Sequence, residues 1–159
     1  MFAMKDRREW LAMMAGAAGG TVAVAGMEFF AARSAMPVMA IPFATSIVLV
    51  LGSPEADAAQ PRALIGGHLL SSLVGLVLLT LLGPQPWVAA LAVGVAMAAM
   101  HLTRTFHPPA GIDPLVIVVN NMPWSFLVLP VAAGAVALAA FAYGWHLAVR
   151  RFDWPTRWW

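Results

Sequence analysis

Apolar residues gather along the chain into six runs, separated by short polar or proline-bearing breaks. The first covers 11–32 and is rich in Ala, Gly and Met, with Glu28 near its far end and Arg33 just beyond. The second, MPVMAIPFATSIVLVLG at 36–52, is short and interrupted by Pro37 and Pro42. Runs at 63–82 and 87–103 are joined by the tight turn GPQP, and no Asp, Glu, Lys or Arg occurs from Ala63 through Thr103. The fifth, 110–119, is far too short to cross a bilayer alone as a helix, which takes roughly 20 apolar residues. The sixth starts near Trp124, reaches about Val149 and ends in RRFDWPTRWW, whose Arg and Trp residues suit an interfacial anchor. Between the second and third runs SPEADAAQPR is polar, and Ser53–Ala56 reads as a helix start, with Pro54 at the first position and acids in the first turn. The pattern predicts an all-α, polytopic membrane bundle of about six segments, the two short Pro-broken runs forming half-helices.

Composition agrees on the solvent. Hydrophobic residues make up 62% of the 159 and charged residues 10%, whereas a soluble domain is about 45–50% apolar and about 25% charged. The mean hydropathy is +0.82. The predicted organisation is a basic N-terminal segment at 1–10, a transmembrane domain at 11–149 and an interfacial tail at 150–159. MFAMKDRREW places Lys5, Arg7 and Arg8 before an apolar run, as a signal peptide does, but that run is too long for an ordinary h-region and reads as an uncleaved first membrane helix. The pI of about 9.9 comes from basic residues at membrane-flanking positions rather than from one patch, so nucleic acid is not the expected partner. The absence of cysteine excludes disulfides, a thiolate nucleophile and Cys-based metal sites, and no cofactor is expected.

Charge bias orients the chain. With Lys5, Arg7 and Arg8 cytoplasmic and every segment crossing, Arg62, Arg104, Arg150, Arg151 and Arg157 fall on the same side, and Arg33 alone lies outside. If the fifth run merely dipped in and returned, Arg150 and Arg151 would be outside, so six crossings are favoured, with both termini cytoplasmic. Three crossings per half make the second half inverted relative to the first. Two inverted three-segment repeats with discontinuous helices in matching positions are a transporter architecture, with the site near the midplane. IPFATSIVLVLG and PPAGIDPLVIVV echo each other weakly, both setting proline ahead of small residues and a β-branched run.

The stretch RTFHPPAGIDP, 104–114, is the most polar and least helical part of the interior of the chain. Irregular backbone at membrane depth is tolerated only where protein covers it or water reaches it. Pro108 and Pro109 push the residues before them out of helix, so a half-helix can begin near Ala110, as another can at Phe43 after Pro42. Free amides around Ala44–Ser46 and Ala110–Ile112, with the Thr45 and Ser46 hydroxyls and Gly111, are then natural partners for one small anion. Arg104 and His107 would attract it, and His68 and His101 are candidates for the pathway. The alternative is an interfacial loop in which the prolines simply end the fourth helix, with each His neutral and donating to a carbonyl or a Ser of a neighbouring helix. Glu28 has Arg33 or Arg104 as possible partners. GAAGG at 16–20, Gly26, Gly66, Gly67 and Gly75 read as small-residue faces for close helix packing. His68, His101 and His107 lack the spacing of a metal motif, and Ser71 or Ser72 beside His68, with Asp113 far away, lacks a nucleophile elbow.

GSPEADAAQPRALIGGHLLSSLVG (52–75) and HLTRTFHPPAGIDPLVIV (101–118) resemble the two signature regions of the HPP family of integral membrane proteins, named for the triplet that stands here as His107, Pro108 and Pro109. AQPR, GGH and HPPAG are the words that carry the resemblance, which runs from about Phe43 to Tyr143. Members of cyanobacteria and plant plastids are associated with nitrite transport, so the resemblance implies a small-anion permease. The family is usually described with four membrane helices, fewer than the six runs here. TRT and GIDPL replace the family's T-G-T and G-A-T-A-L, adding Arg104, Asp113 and Pro114. The resulting expectation is a bacterial inner-membrane transporter of a small monovalent anion, nitrite first, not an enzyme, embedded in lipid and homo-oligomeric. The alternative is a non-transporting structural or interaction subunit of a membrane complex. A reporter active only in the periplasm, fused to the C-terminus, is expected to stay silent; a strong signal would require an odd number of crossings and remove the inverted-repeat reading.

Overall fold

In the computed structural model, which describes residues 6–33, 40–150 and 153–158, the apolar runs are helical and no strand occurs among the described residues. The six α-helices are α1 (Arg7–Ala31), α2 (Ala40–Gly52), α3 (Pro61–Leu82), α4 (Pro86–Leu102), α5 (Asp113–Val119) and α6 (Ala133–Trp145). Residues 36–39 of the second run lie outside the described residues. Prolines open α3 and α4, where a missing N–H removes no bond, and Gly83, at φ 82°, makes the turn between them. Three helical stretches are long and apolar enough to cross a membrane, Arg7–Ala31, Pro61–Leu82 and Trp124–Val149, whereas Pro42–Gly52, Pro86–Leu102 and Pro108–Val119 are shorter. The last long stretch is not regular. Leu129 leaves helical geometry (φ −125°, ψ 116°) just before Pro130, as expected where proline both lacks a donor and restricts its predecessor.

The expected helix start at Ser53–Ala56 is not there. The chain turns through these residues, makes a 3-10 turn over Asp57–Ala59, and enters α3 only at Pro61. Buried Gln60 explains the difference, because its side-chain amide donates to the Pro54 and Ala56 carbonyls at 2.8 and 3.0 Å and folds the loop back on itself. Its oxygen accepts the Thr156 N–H at 3.0 Å, so the C-terminal tail is tied to the same loop. Trp154 is buried there rather than anchored at an interface, while Trp158 is exposed. An exposed Arg157–Asp57 ion pair, 2.6 Å, adds little in stability.

Contacts between helix ends fix the direction of each element. Arg62, at the start of α3, donates to the Thr103 carbonyl beyond the end of α4 at 2.7 Å, so these two helices are antiparallel. The segment from Thr105 to Trp124 then runs back beside α3 in its direction: Thr105 meets Gly66, His107 meets Gly67, Pro114 meets Gly75, and Trp124 Nε1 donates to Thr80 Oγ1 at 3.2 Å. Along α6, Gly134 meets Phe43 and His146 bonds the Val50 carbonyl at 3.0 Å, so α6 is parallel to α2. Trp145 covers Gly19 and donates to the Ala15 carbonyl at 3.0 Å, which places the first half of α1 at the end of α6. Successive elements therefore alternate in direction. The start of α1, the loop at 53–60, the link at 103–107 and the tail share one end of the bundle.

The glycines of α3 make the close approach possible. A Cβ at Gly67 would stand 2.7 Å from His107 Cβ, and one at Gly75 would stand 2.8 Å from Pro114 Cα. The expected small-residue face on α3 is thus occupied by the irregular segment rather than by a second full helix. Gly75→Val is expected to lower stability by about 1–3 kcal/mol through overpacking against backbone, read as a reduced unfolding midpoint in detergent, whereas Gly94→Ala, where no atom lies within 4 Å of the added Cβ, should leave that midpoint nearly unchanged.

Candidate functional site

α2 and the fifth element each cover only part of the bundle's height. The 13 residues of α2 span about 20 Å at 1.5 Å per residue, against about 30 Å of hydrocarbon. They run toward the loop end, while the 3-10 turn Pro108–Ile112 and α5 run away from it. The two pieces overlap near His68, about 10 Å along α3 from its first residue. Among the described residues, all fully buried hydroxyl and imidazole groups except His146 meet at that level.

Ser46 is the centre of this junction. Its Oγ lies 2.8 Å from His68 Nε2, 2.9 Å from His107 Nε2 and 3.0 Å from the Pro42 carbonyl. On the far side of the His68 ring, Nδ1 is 2.8 Å from Asp113 Oδ2, which also accepts the Ser72 hydroxyl at 3.1 Å. His107 Nδ1 donates to the Ala58 carbonyl at 2.6 Å, and the Ser71 hydroxyl donates to the Ala110 carbonyl at 2.7 Å. Phe43 covers the His68 ring at 4.6 Å between centroids, and the two imidazole rings are 5.1 Å apart. α2, α3, the loop at 53–60 and the segment 105–113, here the HPP segment, are thereby joined through side chains that water does not reach, where each hydrogen bond is stronger and each unpaired group more costly. The extended backbone at His107 (φ −128°, ψ 98°) is what turns its ring inward.

Of the residues expected at the site, Ser46, His68, His107 and Ala110 are buried here together. Thr45 is exposed and bonds the Pro42 carbonyl at 2.9 Å. Pro108, Pro109 and Gly111 stand at the rim. An open groove of about 370 Å³ beside them is lined by Thr45, Pro108, Pro109 and Ile112. His101 and Arg104 are exposed, His101 stacking on Phe106 at 4.0 Å, so Arg104 and His107 face different surroundings. Arg33 bonds the Phe29 carbonyl at 3.0 Å and lies over the Phe29 ring instead of meeting Glu28.

The expected free amides are a correction. α2 begins at Ala40, with Pro42 accommodated in its first turn, so Ala44, Thr45 and Ser46 lie inside the helix. The Ala110 N–H donates to the His107 carbonyl at 3.0 Å, and Gly111 and Ile112 are within the 3-10 turn. Asp113, distant from His68 along the chain, sits in the centre of the cluster. The signal for it was available: it is the only acid between Asp57 and Asp153, and acids inside apolar segments are seldom incidental. His68 is paired with Ser46 rather than with the neighbouring Ser71 or Ser72 on its own helix.

The family profile described as HPP, transmembrane region, matches residues 3–155. Two relatives are transmembrane proteins of Dictyostelium discoideum, one 36% identical over 125 residues, covering 74% of this chain and 40% of that protein. The other is 33% identical over 132 residues, covering 78% of this chain and 46% of its own length. The chain thus spans less than half the length of these curated relatives. No solved structure matches the chain. His107→Phe would leave the Ala58 carbonyl and one side of Ser46 unpaired, and is expected to cost about 1–3 kcal/mol per stranded group in detergent unfolding, against a change within about 0.5 kcal/mol for exposed His101→Ala.

Proposed function

The chain belongs to the HPP transmembrane family, and from that premise we propose that it carries a small monovalent anion of the nitrite class across a membrane. The observation that supports this reading is the junction of two oppositely directed partial helices around buried His68, Ser46, His107 and Asp113. A bundle held only by apolar packing has no use for so many polar groups at membrane depth, where ionisable side chains mark pathways. Alternation of the six elements is compatible with two inverted three-segment halves, α1–α3 and α4–α6. The proposed setting is a bacterial inner membrane with both termini cytoplasmic and the chain self-associated. The anion's route is assigned to the groove at Thr45, Pro108, Pro109 and Ile112, beside the buried junction. Helix-end amides play no part in it, being already bonded.

The order Asp113–His68–Ser46 is also that of a hydrolase triad. Ser46 Oγ is fully buried and has a second imidazole, His107, against it, a setting that favours proton exchange over acyl transfer. A different observation favours a non-transporting subunit: α1 buries only Gly16 and Gly19 and presents an apolar surface wide enough for lipid or another protein.

Proteoliposomes containing the purified protein and isotopically labelled nitrite separate the readings. Flux above protein-free vesicles is expected, and Thr45→Trp, which fills the groove from an exposed position, should lower it about tenfold or more, equivalent to roughly 1.4 kcal/mol in the barrier, with unfolding behaviour retained. Wild-type vesicles no faster than empty ones would favour the subunit reading, and undiminished flux in Thr45→Trp would move the route away from this groove.

A further inference from the structure

The junction has more acceptors than protons when Asp113 is an ordinary carboxylate. His107 Nδ1 faces the Ala58 carbonyl at 2.6 Å, and a carbonyl can only accept, so Nδ1 carries the ring proton and Nε2 of the neutral ring is bare. With Asp113 ionised, His68 Nδ1 donates to Oδ2 at 2.8 Å and its Nε2 is bare too. Ser46 then faces both bare nitrogens, at 2.8 and 2.9 Å, and the Pro42 carbonyl, at 3.0 Å, with a single hydroxyl proton. At least one of the two imidazole contacts would set lone pair against lone pair, and the cluster would hold a net negative charge away from water.

One added proton gives both imidazole contacts a hydrogen and removes the net charge, leaving only the longer Ser46–Pro42 contact, 3.0 Å, without one. Asp113 Oδ2 donates to His68 Nδ1, His68 Nε2 donates to Ser46 Oγ, the Ser46 hydroxyl donates to His107 Nε2, and His107 Nδ1 donates to the Ala58 carbonyl. Every contact in this series is between 2.6 and 2.9 Å, and the cluster is neutral. The same proton count is met by imidazolium His68 beside carboxylate Asp113. A second observation points the same way: Asp113 Oδ1 is buried without a hydrogen-bond partner among the described residues, which costs less for the carbonyl oxygen of a neutral acid than for half of a carboxylate.

We propose that Asp113, His68, Ser46 and His107 form a binding site for one exchangeable proton, and that this proton latches α2 to α3 and to the HPP segment. With the proton present, Ser46 bonds both imidazoles. With the proton gone, its hydroxyl can serve only one of them, and α2 is released either from α3 or from the HPP segment. The Ala58 carbonyl cannot pass a proton on, so the series ends there and stores the proton rather than conducting it through. The titratable groups of the surrounding elements are otherwise engaged: His146, just past α6, bonds the Val50 carbonyl, Arg62 of α3 bonds the Thr103 carbonyl, and His101, Arg104 and Glu28 are at the surface. The proton site itself needs no transport; only its link to anion flux rests on the transport reading above.

Six of the seven acids, all but Asp113, are exposed, but Glu28 is exposed on the membrane-length helix α1, so comparison with Asp113→Asn assigns the signal. In infrared difference spectra of the purified full chain near neutral pH, the carbonyl stretch of one protonated carboxyl is expected, lost on alkalinisation and missing in Asp113→Asn. In its place, 15N spectra can show the imidazolium form of one buried His that deprotonates over the same range. Hydrogen–deuterium exchange in α2 should rise about tenfold across that range beyond the intrinsic base-catalysed increase, and Ser46→Ala should exchange fast at every pH while keeping the proton signal. Neither a protonated carboxyl nor a buried imidazolium at neutral pH would overturn the proton site, and α2 exchange that ignores pH would overturn the latch. Both results stand whether or not the vesicles carry nitrite; if they do, flux should follow the same titration and lose its pH dependence in Ser46→Ala.

Discussion

A single hydroxyl oxygen, Ser46 Oγ, stands within hydrogen-bond distance of two imidazoles from two other elements, and the interior of the bundle is arranged around keeping it there. Membrane interiors offer no water to satisfy stray polar groups, so the two partial helices meet only because their polar groups find one another. α2 brings the hydroxyl, α3 brings His68 and the two serines behind it, and the HPP segment brings His107 and Asp113. The loop at 53–60 closes the set with the Ala58 carbonyl.

The prolines and the glycines of the two signature regions divide the labour. Pro108 and Pro109 keep the chain extended as far as His107, so that its ring turns inward rather than outward as on a continued α4. Gly66, Gly67 and Gly75 remove the side chains that would hold this irregular backbone away from α3. Buried Gln60, beside Pro61, folds the preceding loop so that the Ala58 carbonyl points at His107. AQPR, GGH and HPPAG, which look unrelated along the chain, are thus three sides of one packing arrangement.

The number, order and approximate limits of the helical runs were legible, since length and apolarity are local properties and the breaks are marked by proline, glycine and charge. The helix starts were less so. Proline was read as the residue after which a half-helix begins, whereas in α2 it occupies the first turn, and that three-residue displacement, from Phe43 to Ala40, turns apparently free amides into bonded ones. Ser46, His68 and His107 were recognised as candidates one at a time from polarity in apolar surroundings. Their relation to Asp113 was not, because His68 and Asp113 are 45 residues apart and only the alternation of three successive elements brings them together. Arg104 and His107, three residues apart, seemed a natural pair, yet the turn between them, with Arg104 at φ 57°, sends one to the surface and the other to the core.

The glycine face of α3 has a consequence for how the protein is made. α3 and α4 leave the ribosome before the segment that fills this face, and Asp113 follows His68 by 45 residues, which at about 5–20 residues per second is an interval of several seconds. During that interval α3 crosses the membrane with a bare backbone groove and an imidazole lacking its carboxyl partner. Both are completed only when the later segment threads back beside α3.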